Sequence, residues 1–230
     1  MKILAIDSSC AEASAALILD ECKVFKLCTD GTKKHSETLL PLIEKLLEKA
    51  SLNLENVELF ACTVGPGSFT GTRIAVSVVK GLALSKNVPC VGLSTLEVLA
   101  NNVLSFDGIV CPVMSARRDT YYNAFFEAKD GKLTRLCNDR QIFVADLMCE
   151  LEKSCKPIIF LGDGAKMCYN HVLENDLKID ASVADEDLLK INPEIIAKLA
   201  SESKNVTNAE NLNTLYIKPT EAERNINIKN

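Results

Sequence analysis

The sequence predicts an α/β fold built from two successive βββαβα units. Three observations point there. Short apolar runs alternate with segments that carry one apolar face at helical spacing. The order of these segments largely repeats after a break at Ser105 to Gly108. In the middle of the first unit a glycine-rich turn joins an apolar run to a helix-like stretch. At 230 residues the chain suits one large domain or two small ones. We expect an N-terminal lobe over residues 1–104, a C-terminal lobe over 105–219 and a polar tail over 220–230.

The elements follow in order. Lys2 to Asp7 is nearly all apolar, as a strand covered on both faces should be. Ala13 to Leu19 and Cys22 to Cys28 read as two more strands joined at Asp20-Glu21, giving an antiparallel meander. A helix begins near Ser36 or Thr38. Leu39, Leu42, Ile43, Leu46, Leu47 and Ala50 share one of its faces, and Pro41 is tolerated near its first turn. Val57 to Val64 is a strand, Ile74 to Lys86 a helix and Pro89 to Gly92 a short strand. Ser94-Thr-Leu-Glu97 has the pattern of a capping box opening a helix to about Leu104.

After the break, Ile109 to Met114, Tyr121 to Ala128 and Lys132 to Cys137 read as three strands, with Asp130-Gly131 as a hairpin turn. Phe143 to Cys155 is a helix, Pro157 to Leu161 a buried strand and Ala165 to Asn175 another helix. Asp176 to Lys190 is acidic and loop-like. Asn192-Pro193 caps a last helix through Ser201.

The turn Val64 to Arg73 (VGPGSFTGTR) organises the first unit. Gly65 and Gly67 reach backbone angles closed to other residues, and Pro66 stiffens the turn between them. Ser68 or Thr70 caps the following helix, whose start either attracts an anion or simply closes a sharp turn. The motif is not a P-loop: Gly67 to Gly71 is one residue too short and no lysine follows. On a helical wheel Ile74, Ala75, Val76, Val78, Val79, Leu82 and Ala83 span roughly 200°, twice what a core-facing surface helix needs. Such a helix is either sandwiched within its own domain or turned toward a partner.

Composition excludes several classes. Apolar residues make up 47% and charged residues 25%, as in ordinary globular domains. A net charge of −5 argues against this chain gripping an RNA backbone alone, which takes basic phosphate contacts. Met1 to Ile6 is too short for a signal-peptide core, and no run approaches the ~20 apolar residues of a membrane helix, so the expected location is cytoplasmic. The ten cysteines form no Cys-x-x-Cys pair, and most read as small, reduced core residues. The two histidines, His35 and His171, form no helical metal pair, and they are too few to serve as bases for a nucleophilic triad.

VGPGSFTGTR, together with Met1 to Ser9 (MKILAIDSS) and the distance between them, closely resembles the bacterial TsaB family. The likeness is strong over residues 1 to about 100 and looser beyond. It implies the actin and sugar-kinase (RNase H-like) two-lobed fold with a reduced second lobe. It implies a non-catalytic subunit of the machinery that makes threonylcarbamoyladenosine in tRNA. Its partners would be a metal-bearing catalytic paralogue of TsaD type and an ATPase subunit of TsaE type, with tRNA reached only through the complex. Without that paralogue the chain would form a homodimer. The contact would run helix face to helix face through residues 37–50 and 71–86, with Leu39, Ile43, Leu46, Arg73, Ile74, Ala75, Val78, Val79 and Leu82 as interface candidates. On that reading Val79→Glu abolishes pairing and leaves the monomer folded.

The resemblance also marks candidate nucleotide or anion contacts: Asp7, Ser8, Gly65, Gly67, Ser68, Thr70, Gly71, Gly162 and Gly164. Kinases of this superfamily bind phosphate or metal at the turn matching Asp7-Ser8-Ser9 and adenosine near the turn matching Gly162 to Gly164. By spacing alone, an acid after a strand is more often structural, and a plain turn explains Gly162 and Gly164 equally well. No cofactor is expected of the chain's own, and ATP or ADP would sit at the partner interface. Ser115-Ala-Arg-Arg-Asp119 departs from the family motif, which usually begins with Asp. That departure counts against the alternative reading, an ATP-dependent small-molecule kinase. A metallopeptidase lacks its histidine pair. Leu212 to Pro219 resembles the family's C-terminal motif, with Lys218 where arginine is common, and should pack back on the body through Leu215 and Ile217.

Overall fold

The computed structural model describes residues 1–20, 23–116 and 120–217. Two sheets share one plan. The first runs in the order β3-β2-β1-β4-β5, from β1 (Ile3–Asp7), β2 (Ser14–Asp20), β3 (Lys23–Cys28), β4 (Leu59–Gly65) and β5 (Cys90–Ser94). Central β1 is antiparallel to β2, with Ala5 opposite Ala16, and parallel to β4, with Ala5 opposite Ala61. Every residue of β1 is buried, as the unbroken apolar run predicts.

The second sheet repeats that order as β10-β7-β6-β11-β12: β6 (Gly108–Ser115), β7 (Thr120–Asn123), β10 (Arg140–Phe143), β11 (Ile158–Leu161) and β12 (Ala181–Val183), with the hairpin β8 (Phe126–Lys129) and β9 (Lys132–Arg135) beside β6. The two successive βββαβα units expected from the sequence are thus present as matching sheet order.

Strand alternation sorts the core into layers. Leu4, Ile6, Phe60 and Cys62 pack under α1 (His35–Ala50) and α2 (Phe69–Leu84). Ile3, Ala5, Leu59 and Ala61 face the other way, into a core shared with α3 (Thr95–Ala100), α6 (Pro193–Glu202) and Val110, Met114 and Phe126 of the second sheet. α4 (Val144–Leu151) and α5 (Ala165–Glu174) cover the far side of the second sheet. Helix α6 therefore returns to the first sheet. The chain after it follows, with Thr207 and Cys90 exchanging two backbone hydrogen bonds of 2.8 Å. Among the described residues no helix is long and apolar enough to cross a membrane.

Several boundaries differ from the expectation. The stretch Tyr121 to Ala128 is broken into β7 and β8, although both keep one register against β6. The break lies opposite Pro112, which has no N–H to give the ladder. Buried Asn123 bridges it: its Nδ2 donates to the carbonyls of Pro112 (3.1 Å) and Ala124 (3.0 Å). The strand expected over Lys132 to Cys137 stops at Arg135, and the edge resumes as β10, so Phe143 ends a strand and α4 runs only to Leu151. The stretch 176–190 is not all loop, because β12 completes the sheet beside β11. Its three residues are too few to show a period. Helix α1 starts at His35, which puts Pro41 in the second turn. The Glu37 carbonyl loses its usual donor there, and both residues face solvent, where water replaces it. The capping box at Ser94 is half formed. Ser94 Oγ accepts the Glu97 N–H at 3.2 Å, while the Glu97 carboxylate pairs with Arg135 instead. β2 and β3 pair through Asp20 and Lys23, and Glu21 and Cys22 lie outside the described residues.

Candidate functional site

The N-terminal turn and the glycine-rich turn close on each other. Asp7 ends β1 and is 1% exposed. Its Oδ1 accepts from the Ser9 N–H (3.1 Å), Ser9 Oγ (2.6 Å) and Thr63 Oγ1. Its Oδ2 is buried without a hydrogen-bond partner. Burial raises the Asp7 pKa above the usual carboxylate range, against the lowering effect of those hydrogen bonds and of nearby His35. Ser8 Oγ donates to the Gly71 carbonyl (2.8 Å), and the Ser68 N–H donates to the Ser9 carbonyl (2.8 Å). A side chain at Gly71 would overlap the Ser8 carbonyl, and one at Gly67 would stand 2.6 Å from the Ser9 oxygen.

These contacts tie the two turns to each other within the chain. Ser68 caps α2 by accepting the Gly71 N–H at 3.2 Å. Thr70, the other cap candidate, lies inside the helix and is exposed. Ser8 is fully buried, and Gly65 packs against the Leu215 backbone. Of the nine nucleotide or anion candidates, Asp7 and Gly162 line a cavity of about 360 Å³ between the two sheets. Gly164 lies next to it, with its N–H on the Val113 carbonyl (3.1 Å).

That cleft contains residues the sequence did not single out: Glu12, Asp163, Lys166, Glu186 and Lys190. Asp163 Oδ1 accepts the Ser115 N–H at 2.7 Å. A carboxylate therefore stands beside position 115 although residue 115 is not an acid. Both cleft lysines are engaged, Lys190 with Glu12 (2.6 Å) and Lys166 with Glu186 (2.7 Å). Arg117, Arg118 and Asp119 lie outside the described residues. Among those described, no group of three His, Cys, Asp or Glu is placed to hold a metal ion.

The helix pair α1–α2 divides the predicted interface in two. Leu39, Ile43, Leu46, Ala75 and Val79 are at most 2% exposed and pack into the core under the helices. They are unavailable to a partner, and Val79→Glu would strike the chain's own core. Ile74, Val78 and Leu82 form a half-exposed row one helical turn apart, and Arg73 is exposed. The sequence reading missed their neighbours Leu40 (46% exposed) and Phe69 (48%). Leu40, Phe69, Arg73, Ile74 and Val78, with His35, Ser77 and Thr70, line an open groove of about 370 Å³, and Leu82 lies beyond it. His35 starts α1, and its Nε2 bonds the Cys10 carbonyl at 2.9 Å. A carbonyl only accepts, so that nitrogen carries the proton.

The C-terminal stretch packs back as expected, by other residues. Leu212 is buried and the Leu215 N–H donates to the Val64 carbonyl (2.8 Å), while the Leu215 side chain is 45% exposed and Ile217 only partly buried. Lys218 lies outside the described residues. Of the described cysteines, Cys62, Cys90, Cys111 and Cys168 are buried, and burial pushes the Cys168 thiol up to about 12. Cys28, Cys149 and Cys155 are exposed rather than core residues.

The family model TsaD: tRNA N6-adenosine threonylcarbamoyltransferase matches residues 29–225. Over 223 residues the chain is 30% identical to tRNA threonylcarbamoyladenosine biosynthesis protein TsaB of Bacillus subtilis (strain 168), covering 97% of this chain and 96% of that protein. Two solved Pseudomonas aeruginosa structures share the fold: a protein described as similar to peptidase YeaZ (24% identity, TM-score 0.77) and YeaZ (25%, 0.75). Each alignment covers 94% of this chain and 99% of the other. The chain belongs to the TsaB family within that broader threonylcarbamoyltransferase group.

Proposed function

We propose that this chain is a non-catalytic, activating subunit in the biosynthesis of tRNA threonylcarbamoyladenosine, acting in the cytoplasm. It docks on a metal-bearing paralogue of TsaD type through the outer face of α1 and α2. The observation that carries this reading is the apolar row Ile74, Val78 and Leu82 beside exposed Leu40 and Phe69. The core beneath is filled by Ala75, Val76, Val79 and Ala83, and the outer row, packed on its edge, leaves part of its apolar surface open beside Leu40 and Phe69. Without the paralogue the same face pairs two copies of the chain. An ATPase of TsaE type and the tRNA join through the complex, and ATP or ADP sits at the partner interface.

A kinase reading gains nothing from the cleft. Its lysines are paired with carboxylates, and the glycine-rich turn is filled by the Ser8-Ser9 backbone. The test is a reconstituted modification reaction with unmodified tRNA, threonine, bicarbonate, ATP, the adenylate-forming enzyme, the paralogue and the ATPase. Wild-type chain should be required for product. Val78→Glu should keep wild-type circular dichroism and lose both partner binding and product. Equal product without the chain, or normal binding by Val78→Glu, would sink the reading.

A further inference from the structure

One corner of the helix face is unlike the rest. The Arg73 guanidinium lies 3.7 Å from the Phe69 ring centre and 5.5 Å from that of Tyr216, and its Nε donates to Tyr216 Oη at 2.7 Å. The two rings lie 5.8 Å apart. All three side chains are exposed. Tyr216 comes from the far end of the sequence and is brought there by buried Leu212, the Leu215–Val64 backbone bond and a bond from Lys80 Nζ to the Glu210 carbonyl (3.0 Å). The chain thus uses a long-range strap to hold one arginine still.

A guanidinium laid over one ring, with one nitrogen pinned by the hydroxyl of the other, has its remaining two nitrogens oriented. Among the described residues Arg73 Nη1 and Nη2 take no hydrogen bond. They stand at the rim of the groove walled by Leu40, Ile74 and Val78. Arg73 is the one fully charged side chain in that lining, and exposed Lys33 and Lys34 precede α1 next to it. A chain of net charge −5 therefore presents a local positive corner beside an apolar slot.

We propose that Arg73, stacked on Phe69 and pinned by the Tyr216 hydroxyl, is a preformed receptor for a carboxylate carried on a helix of the partner protein, with an apolar side chain of that helix seated in the adjoining groove. This rests on the docking face proposed above and names the chemistry the partner must supply there. A planar fork matches a carboxylate in two parallel bonds, and preorganisation lowers the ordering cost of binding. Arginine and tyrosine are also the residues in which interface energy concentrates. A phosphate would satisfy the fork, but a nucleic-acid backbone leaves the apolar slot empty. A second copy is the main competitor, because α1 displays Glu37, Glu44 and Glu48.

The test measures affinity between the full chain and the purified TsaD-type paralogue at several salt concentrations. Arg73→Gln should weaken binding about 10- to 100-fold and flatten its salt dependence. Arg73→Lys should recover little of that loss, since charge remains but the fork does not. Tyr216→Phe, which removes the acceptor on Nε and keeps the ring, should give a smaller loss in the same direction. Circular dichroism should show all three folded. If Val78→Glu abolishes binding while Arg73→Gln changes neither affinity nor salt slope, the face stands and the carboxylate receptor falls. If neither variant matters, the docking face falls as well. A loss confined to self-association would assign the receptor to a second copy and overturn the choice of partner.

Discussion

Helices α2 and α5 hold equivalent places in the two halves. Each follows the parallel strand beside the central one, β4 or β11, through a turn containing two glycines. Their inner faces solve the same problem alike, burying small residues on the sheet: Ala75, Val76, Val79 and Ala83 in α2, Ala165, Cys168 and Val172 in α5. Their outer faces differ. α2 continues as the apolar row Ile74, Val78 and Leu82 and runs beside the 16-residue α1. α5 turns Lys166, Met167, Asn170 and Leu173 outward, and α4 is only 8 residues long. The turns differ too. Ser68 caps α2 with its side chain, whereas Gly164 at the start of α5 has none to offer, and neighbouring Asp163 reaches to Ser115. A duplicated topology constrains the surfaces that meet the sheet and leaves the outward ones to diverge. The proposed docking face draws on the outward surface of the first half, where the apolar row lies.

The sharpest break of the inner–outer distinction is at adjacent positions of α2. Val79→Glu places an unpaired carboxylate at a site 1% exposed, at a cost of about 4 kcal/mol or more. Val78→Glu, one residue away and half-exposed, should stay within about 1 kcal/mol of wild type. Urea unfolding of the two variants measures the difference, and equal destabilisation would erase the distinction. Gly71→Ala comes next. Its new methyl would meet the Ser8 backbone, which is tied in place and cannot swing aside as a side chain would. We expect a loss of about 3 kcal/mol. An unchanged unfolding midpoint would show that the turn yields.

How far the sequence reached follows from the same distinction. Long amphipathic stretches, apolar runs and cap residues were legible: β1, α1, the Ser68 and Asn192 caps and the Asp130-Gly131 turn fall where pattern places them. Wheel geometry showed that α2 is apolar over too wide an arc. It did not separate the buried side, with Val79, from the open side, with Val78, because both are valines and the divide depends on where the sheet and α1 lie. Interruption of β7–β8 depended on Pro112 of a different strand. The Arg73 cluster was out of reach for a similar reason. Arg73 and Tyr216 are 143 positions apart and meet only through the C-terminal strap. Asp163 was visible as a residue between two glycines, but its pairing with Ser115 needed the sheet order that sets β6 beside β11.

The smallest expected effect compares the ends of the two central strands, Asp7 on β1 and Ser115 on β6. Asp7 is buried with Oδ2 unpartnered, and desolvation raises its pKa from the 3.8 of an exposed group. The folded chain then holds a proton over a pH range in which the unfolded chain has lost it. Stability associated with this group is complete below 3.8 and declines as pH rises through the folded value, after which it stays level. Asp7→Asn cannot ionise, and its carbonyl oxygen can accept the three bonds that Oδ1 now takes. Relative to wild type, the variant should therefore gain stability as pH rises from about 4 to about 7, with little or no advantage at the acid end. Ser115→Ala, which removes no ionisable group and keeps the backbone bond to Asp163, should show no such trend. Unfolding by urea across that pH range reads the difference directly. A pH-independent offset for Asp7→Asn would mean that the carboxyl ionises in the folded chain where it does in the unfolded one, so that burial does not raise its pKa, and that the two strand ends differ less than their burial implies.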